Sequence, residues 1–329
     1  MLTDHLPRLS MAHLPTPLVP LPRLTARLGG PELWVKRDDQ TGLATGGNKT
    51  RKLEFLAAEA LAQEADTLVT CGAGQSNHAR QTAAAAAKCG LACTLLLRGE
   101  EPPQATGNLL LDRLLGAEVV WSGAASPLEK MDEIVEELRA RGRRPYAIPY
   151  GGSNPLGASG YVAAMEELLD QCAAGGLAFD AIVFASSSGG TQAGMAVGAR
   201  ARGYAGRLVG ISVDLPAAPL QRALAELSTA TAEHLGLRLS FAPEEFHVED
   251  GYLGGGYGVV GELEREAIRT LARAEGLLLD PVYTGRAFGG LLDMIRRQRF
   301  SPGQRVLFWH TGGIPALFAH ADLVQENHG

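Results

Sequence analysis

Residues 180–201 read DAIVFASSSGGTQAGMAVGARA: an apolar run of strand type, a turn of serine, glycine and threonine, then a small-residue stretch of helix type. Strand, glycine turn and helix in that order form the unit from which parallel sheets are built. The pattern recurs along the chain. LWVK, TLVTCGA, CTLLL, AEVVW, RPYAIP, RLVGISV and RVLFWH are further short β-branched or apolar runs, separated by amphipathic stretches. The expected class is therefore α/β with mostly parallel sheets. Leu53, Leu56, Ala57, Ala60 and Leu61 keep the spacing of one helix face, which predicts a helix starting near Asn48. SNHARQTAAAAAKCG, PLEKMDEIVEELRARG and ELEREAIRTLARAEG read as helices ending at Gly90, Gly142 and Gly276, where glycine permits a left-handed cap. Glycine-dense joints at LATGGN and YGGSNPLGASG bracket about a hundred residues, the size of a small domain, and suggest one inserted into a larger one.

The bulk composition sets limits on function. With 329 residues, 46% of them hydrophobic and 20% charged, the chain can bury a large core. A net charge of -6 supplies no basic field for nucleic acid or anionic lipid. No apolar run reaches the roughly 20 residues that span a bilayer. Cys71, Cys89, Cys93 and Cys172 form no CxxC pair, and MLTDHLPRLS lacks the pattern of a leader, so a reducing, cytoplasmic setting is expected.

Five stretches carry chemistry-bearing residues. In TGGNKTRKLE, residues 45–54, Lys49 follows two glycines, but Asn48 separates it from Gly47 and so spoils the phosphate-loop pattern G-x-x-x-x-G-K-[ST]. Lys49, Arg51 and Lys52 cluster at the end of a helix that already carries partial positive charge, which suggests a nearby anion or a functional lysine. The turn Ser187, Ser188, Gly189, Gly190 and Thr191 is either a one-phosphate cradle or a packing turn. Gln75, Ser76, Asn77 and His78 open a helix, where Ser76 can cap or the group can bind a carboxylate. Tyr283 and Thr284 follow an apolar run and a proline, in a turn whose tyrosine either packs on the core or serves a site. His310, Thr311, Gly312 and Gly313 sit at the carboxyl end of a strand, where open α/β sheets bind ligands.

A lysine, a cradle for one phosphate, a carboxylate-binding helix end and a tyrosine suit pyridoxal 5'-phosphate, which has one phosphate and an aldehyde. No carboxylate pair, no HExxH and no GxSxG elbow competes with that reading, and no metal is expected. A nucleotide-binding oxidoreductase would need a G-x-G-x-x-G turn that is missing, and a non-catalytic amino-acid sensor could dispense with Lys49.

GGNKTRKLEFL, GQSNHARQTAAAAA, GGSNPLGASGY, GTQAGMAVG, GGGYGV, LLLDPVYTGRA and HTGGIPALF occur in order between residues 14 and 318. Together they resemble the D-cysteine desulfhydrase and aminocyclopropane-carboxylate deaminase family. The resemblance implies the fold type II architecture of tryptophan synthase β. Two open, mostly parallel sheets would be flanked by helices, with residues 1–50 and 160–329 as the large cofactor domain and 51–159 as the small one. It implies a homodimer and a small amino-acid substrate. It makes Lys49 the Schiff-base lysine, puts Asn48 beside the cofactor's phenolic oxygen and makes Ser187 to Thr191 the phosphate cradle. Gln75, Ser76, Asn77 and His78 become the substrate-facing loop, with Ser76 and Asn77 on the carboxylate. Tyr257 and Tyr283 become the active-site tyrosines, and Thr311 would lie near the pyridine nitrogen. The ring-opening deaminases carry glutamate after the tyrosine, whereas this chain has Thr284, which favours α,β-elimination from a sulfur-substituted amino acid. L-cysteate sulfo-lyases share TGLATGGNKTRKLE and are the alternative. The family's usual Gly-Lys is here Gly285-Arg286, and arginine does not replace lysine at close contacts without consequence.

Overall fold

The computed structural model describes residues 1–324. All eight apolar runs are strands. β1 (Leu18–Pro20), β2 (Glu32–Arg37), β7 (Ala181–Ser186), β8 (Arg207–Ser212), β9 (His247–Glu249) and β10 (Arg305–His310) make a six-stranded sheet in the order β1-β2-β10-β7-β8-β9. Only β1 runs antiparallel to its neighbour. β3 (Thr67–Ala73), β4 (Ala92–Arg98), β5 (Glu118–Trp121) and β6 (Pro145–Ala147) form a second, fully parallel sheet ordered β5-β4-β3-β6. The two strands that the sequence pattern does not announce, β1 and β9, have three residues each and lie at the edges.

Helices cover both sheets. They are α1 (Pro22–Leu28), α2 (Lys49–Ala62), α3 (Asn77–Cys89), α4 (Gly107–Leu114), α5 (Pro127–Ala140) and α6 (Pro155–Gly175). After β7 come α7 (Gly190–Ala201), α8 (Ala217–His234), α9 (Glu262–Glu275), α10 (Thr284–Arg296), α11 (Ile314–Ala319) and α12 (Ala321–Val324). In β7, Val183 packs against α9 and α10 while Ile182 and Phe184 face α6, so alternate residues serve opposite cores, as the period of a strand covered on both faces demands. α2 and α3 pack with Leu68, Leu95 and Leu97 of the smaller sheet, and the N-terminal residues Leu6, Leu9 and Met11 join that core.

α6 begins inside the stretch that reads as a joint. Asn154 caps it by accepting the Gly157 amide at 2.8 Å, and Pro155 occupies its first turn, where a missing N–H costs nothing. Its glycines mark close approach: a Cβ at Gly160 would overlap the Arg51 carbonyl of α2. The PLEKMDEIVEELRARG helix stops at Ala140, and Gly142, with φ +78°, follows one residue beyond the cap.

Candidate active site

A cleft lies at the carboxyl ends of β7 and β10 and the amino ends of α2, α3 and α7. Asn48, Lys49, Ser76, Asn77, His78, Ser187, Ser188, Gly189, Thr191, Tyr283 and Thr311 all line it. Motifs as far apart in sequence as Asn48 and Thr311 thus meet in one place. Gly47 and Gly312 make the meeting possible: a Cβ on Gly312 would come within 2.6 Å of the Gly47 Cα, and both have positive φ. The Asn48 amide then donates to the Thr311 carbonyl at 2.9 Å, fixing the start of α2 against β10.

α2 sorts its three cations by direction. Arg51 turns away from the cleft, donating to Asp38 at 2.8 and 2.9 Å and to Glu167 at 2.9 and 3.0 Å. Lys49 and Lys52, three residues apart, share the other face. Lys52 donates to the Gly151 carbonyl at 3.0 Å and to Ser153 Oγ at 3.2 Å. Ser153 Oγ also receives the Gly190 amide at 3.1 Å and lies 2.8 Å from Ser188 Oγ. A buried ammonium is therefore held at the amino end of α7, where the helix dipole is already positive. Burial and the charge of Lys49 push the Lys52 amine well below its ordinary value. Burial also lowers Lys49, to about 8, although hydrogen bonding with Lys52 and the Asp214 carboxylate act in the other direction. Two lysines and a helix amino end, converging without an anion, describe a binding site for one.

On the opposite wall Ser76 caps α3, its Oγ accepting the Ala79 amide at 3.1 Å, which leaves the hydroxyl hydrogen free to donate into the cleft. His78 Nε2 lies 2.9 Å from Thr70 Oγ, and Thr70 donates to the Ile148 carbonyl at 2.9 Å. Because the one hydroxyl hydrogen is used there, His78 carries its proton on Nε2. Burial and the two lysines hold the ring far below its ordinary pKa, so it is neutral. Gln75 does not line the cleft. Its amide accepts from Asn108 at 2.9 Å and donates to Thr106 at 3.0 Å, pinning the start of α4.

Tyr283 Oη lies 2.6 Å from Tyr257 Oη, with the rings edge to face and 5.9 Å apart. Burial raises both phenols. Tyr257 reaches the cleft only through this contact, and Thr284 is fully buried behind the wall, donating to Asp280 Oδ1 at 2.7 Å. Asp280 also accepts the amides of Val282, Tyr283 and Thr284 at 2.8 to 2.9 Å, so one carboxylate shapes the turn that presents Tyr283. Three further residues escaped the sequence reading. Tyr150 lines the cleft and interacts with Ser187 and Tyr283, while Ser187 donates to Asp214 at 2.6 Å. Ser153 joins Lys52, already expected near an anion, at the anion site. The signal for Asp214 was its place just after a parallel strand.

The model of the pyridoxal-phosphate dependent enzyme family matches residues 9–312. The chain belongs to that family. Two relatives from Klebsiella pneumoniae, strain 342 and subspecies pneumoniae strain ATCC 700721 / MGH 78578, are described as D-cysteine desulfhydrase. Each is 47% identical over 320 residues, covering 95% of this chain and 96% of the relative. A crystal structure of an ACC deaminase homologue superposes with a TM-score of 0.90 at 40% identity, over 98% of this chain and 97% of the other. Pyridoxal phosphate is accordingly the cofactor of this pyridoxal-phosphate dependent enzyme. The cleft fits it. Lys49 offers an amine of lowered basicity, Lys52 and the amino end of α7 offer an anion site, and Ser186 Oγ is buried and unpartnered at the same wall. Among the described residues no group of side chains suits a metal ion, and no helix is long and apolar enough to cross a membrane.

Proposed function

We propose that the chain is a carbon–sulfur lyase that eliminates sulfide from D-cysteine, giving pyruvate, ammonia and hydrogen sulfide with the uptake of one water. The observation that carries this reading is the composition of the cleft wall. Its lining contains no carboxylate and no guanidinium, and Thr284, buried behind Tyr283, brings no charge to it. A small amino acid with a neutral leaving thiol suits such a wall, and the likeness to D-cysteine desulfhydrases supports it.

Bound pyridoxal phosphate supplies an electron sink for charge released at the substrate's Cα. Lys52, Ser188 and the amino end of α7 would hold its phosphate, and Asn48, whose side-chain amide donates to Thr191 at 3.0 Å, would serve its phenolic oxygen. Thr311 lines the same cleft and would lie near the pyridine nitrogen. Ser76, Asn77 and the amino end of α3 bind the substrate carboxylate. Lys49 Nζ, neutral in a useful fraction because burial holds it at about 8, takes the Cα proton. Tyr283 stays protonated, since burial raises its phenol, so it donates to the departing sulfur instead of acting as base. Tyr257, 2.6 Å away and 36% exposed, replaces that proton on Tyr283 and takes one from solvent in turn. Neutral His78, fixed by Thr70, orients the helix end that receives the carboxylate.

A homodimer in the cytoplasm belongs to the same reading. The four cysteines are free thiols, and Leu110, Leu114 and Phe318 expose apolar surface on α4 and α11. The test is product analysis with the purified yellow protein on D-cysteine, L-cysteine, L-cysteate and aminocyclopropane carboxylate. Pyruvate with sulfide from D-cysteine is the expected result. Sulfite from L-cysteate would make it a sulfo-lyase, and 2-oxobutyrate from aminocyclopropane carboxylate would make it a deaminase.

A further inference from the structure

We propose that Arg286 is a positioning residue that holds the Tyr257 loop closed on Tyr283. The proposal rests on the role given to the tyrosine pair above. Arg286 is fully buried in the first turn of α10, two residues after Thr284. Its Nε donates to Glu264 at 2.7 Å, Nη1 to the carbonyls of Val213 at 3.0 Å and Gly256 at 3.1 Å, and Nη2 to the carbonyl of Val259 at 2.9 Å. Two of these acceptors flank Tyr257, one on each side. A third precedes Asp214, which accepts from Ser187 of the cofactor loop. Glu264 in turn receives the Gly261 amide at 2.8 Å, where the loop enters α9.

The loop needs such a clamp. Gly254, Gly256 and Gly258 take φ of +57°, +111° and +76°, conformations that only glycine adopts freely, so the segment has much conformational entropy to lose. The backbone bonds within the loop are three turn contacts, Leu253 to Asp250 at 3.3 Å, Gly256 to Leu253 at 3.0 Å and Val259 to Gly256 at 3.3 Å, and Tyr252 Oη anchors its start by donating to Asp293 at 2.8 Å. The planar fork of arginine spans four acceptors at once. A lysine ammonium, a point donor on a flexible stem, cannot reach all four. The buried guanidinium is compensated by Glu264 and three carbonyls, so its charge is not left bare. Tyr257, itself 36% exposed, thus depends for its place on a side chain it does not touch.

The experiment is a double-mutant cycle with an exchange measurement. Amide hydrogen exchange at residues 251–261 of the purified holoenzyme, followed by mass spectrometry, is expected to quicken at least about tenfold in Arg286→Lys while the β7 and β10 amides stay unchanged. In the activity assay Arg286→Lys lowers kcat about tenfold with KM held, and less than about twofold in a Tyr257→Phe background, since the two side chains act through one contact. Equal losses in both backgrounds, or unchanged exchange in the loop, would overturn the proposal. Glu264→Gln, which keeps the arginine but weakens its anchor, is expected to loosen the same amides and serves if Arg286→Lys folds poorly. The exchange measurement needs no substrate, so an enzyme inactive on D-cysteine with a loop loosened by Arg286→Lys would refute the assigned reaction and leave the clamp standing.

Discussion

Lys52 stands one turn after Lys49 on the same face of α2, and burial lowers both amines, Lys52 further because the charge of Lys49 adds to it. Neither has a carboxylate in ion-pair contact among the described residues. In the proposed reaction the pair sets where the cofactor's phosphate and its aldehyde are bound.

Replacing Lys49 by alanine is expected to abolish pyruvate formation and the visible absorbance of the covalently held cofactor. Pyridoxal phosphate released on acid treatment of the purified variant measures how much stays bound by the anion site alone. Ordinary turnover in this variant would remove Lys49 from the mechanism.

The lowered Lys49 amine also has a signature in the cofactor-free protein. Unfolded, the lysine titrates near 10.5, and folded near about 8, so between these values the unfolded chain holds more protons and stability rises with pH. The contribution is fully present above 10.5 and is lost as pH falls through about 8. Urea unfolding of the apoprotein across this range, compared with Lys49→Met, should show a slope in the parent that the variant loses in part.

Tyr283→Phe is expected to lower kcat about a hundredfold or more, the usual size of a lost general acid. Asp280→Asn, which weakens the turn presenting that tyrosine, should cost about 1–2 kcal/mol of stability, as for a lost helix cap, and reduce kcat as well. Thermal unfolding beside steady-state rates separates the two effects.

Arg51 belongs to the scaffold. Burial would raise the Asp38 carboxyl, but the Arg51 guanidinium beside it holds it down at about 2. The stability from this pairing is complete above pH 3.8 and disappears as pH falls through about 2. Arg51→Met leaves Asp38 buried without its partner and should cost about 3–5 kcal/mol in denaturant titration at neutral pH, with acid unfolding moved to higher pH.

The alternation of apolar runs and amphipathic stretches made the class legible, because strands covered on both faces leave uninterrupted runs such as DAIVF. α6 was hidden because its glycines look like breakers. Gly160 is there for close packing against α2, and Gly194 and Gly198 of α7 bring that helix against α6, a property of three chain segments that one segment does not display. In the site, Lys49, Ser76 and the Ser187 to Thr191 turn announced themselves by their position at helix starts. Arg286, Asp280 and Tyr150 did not, since each acts on backbone or side chains that are distant in sequence and become neighbours only on folding.

The burial of α2 sets where this enzyme can change. Ten of its fourteen residues are buried, shared between the core of the smaller sheet and the ion pairs of the larger one, so the lysine sits on an element with little room for drift. The glycine loop bearing Tyr257 is pinned chiefly by one side chain. Altered substrate choice in this lineage should therefore accumulate in residues 251–259 and their anchor, while the reactive amine is inherited unchanged.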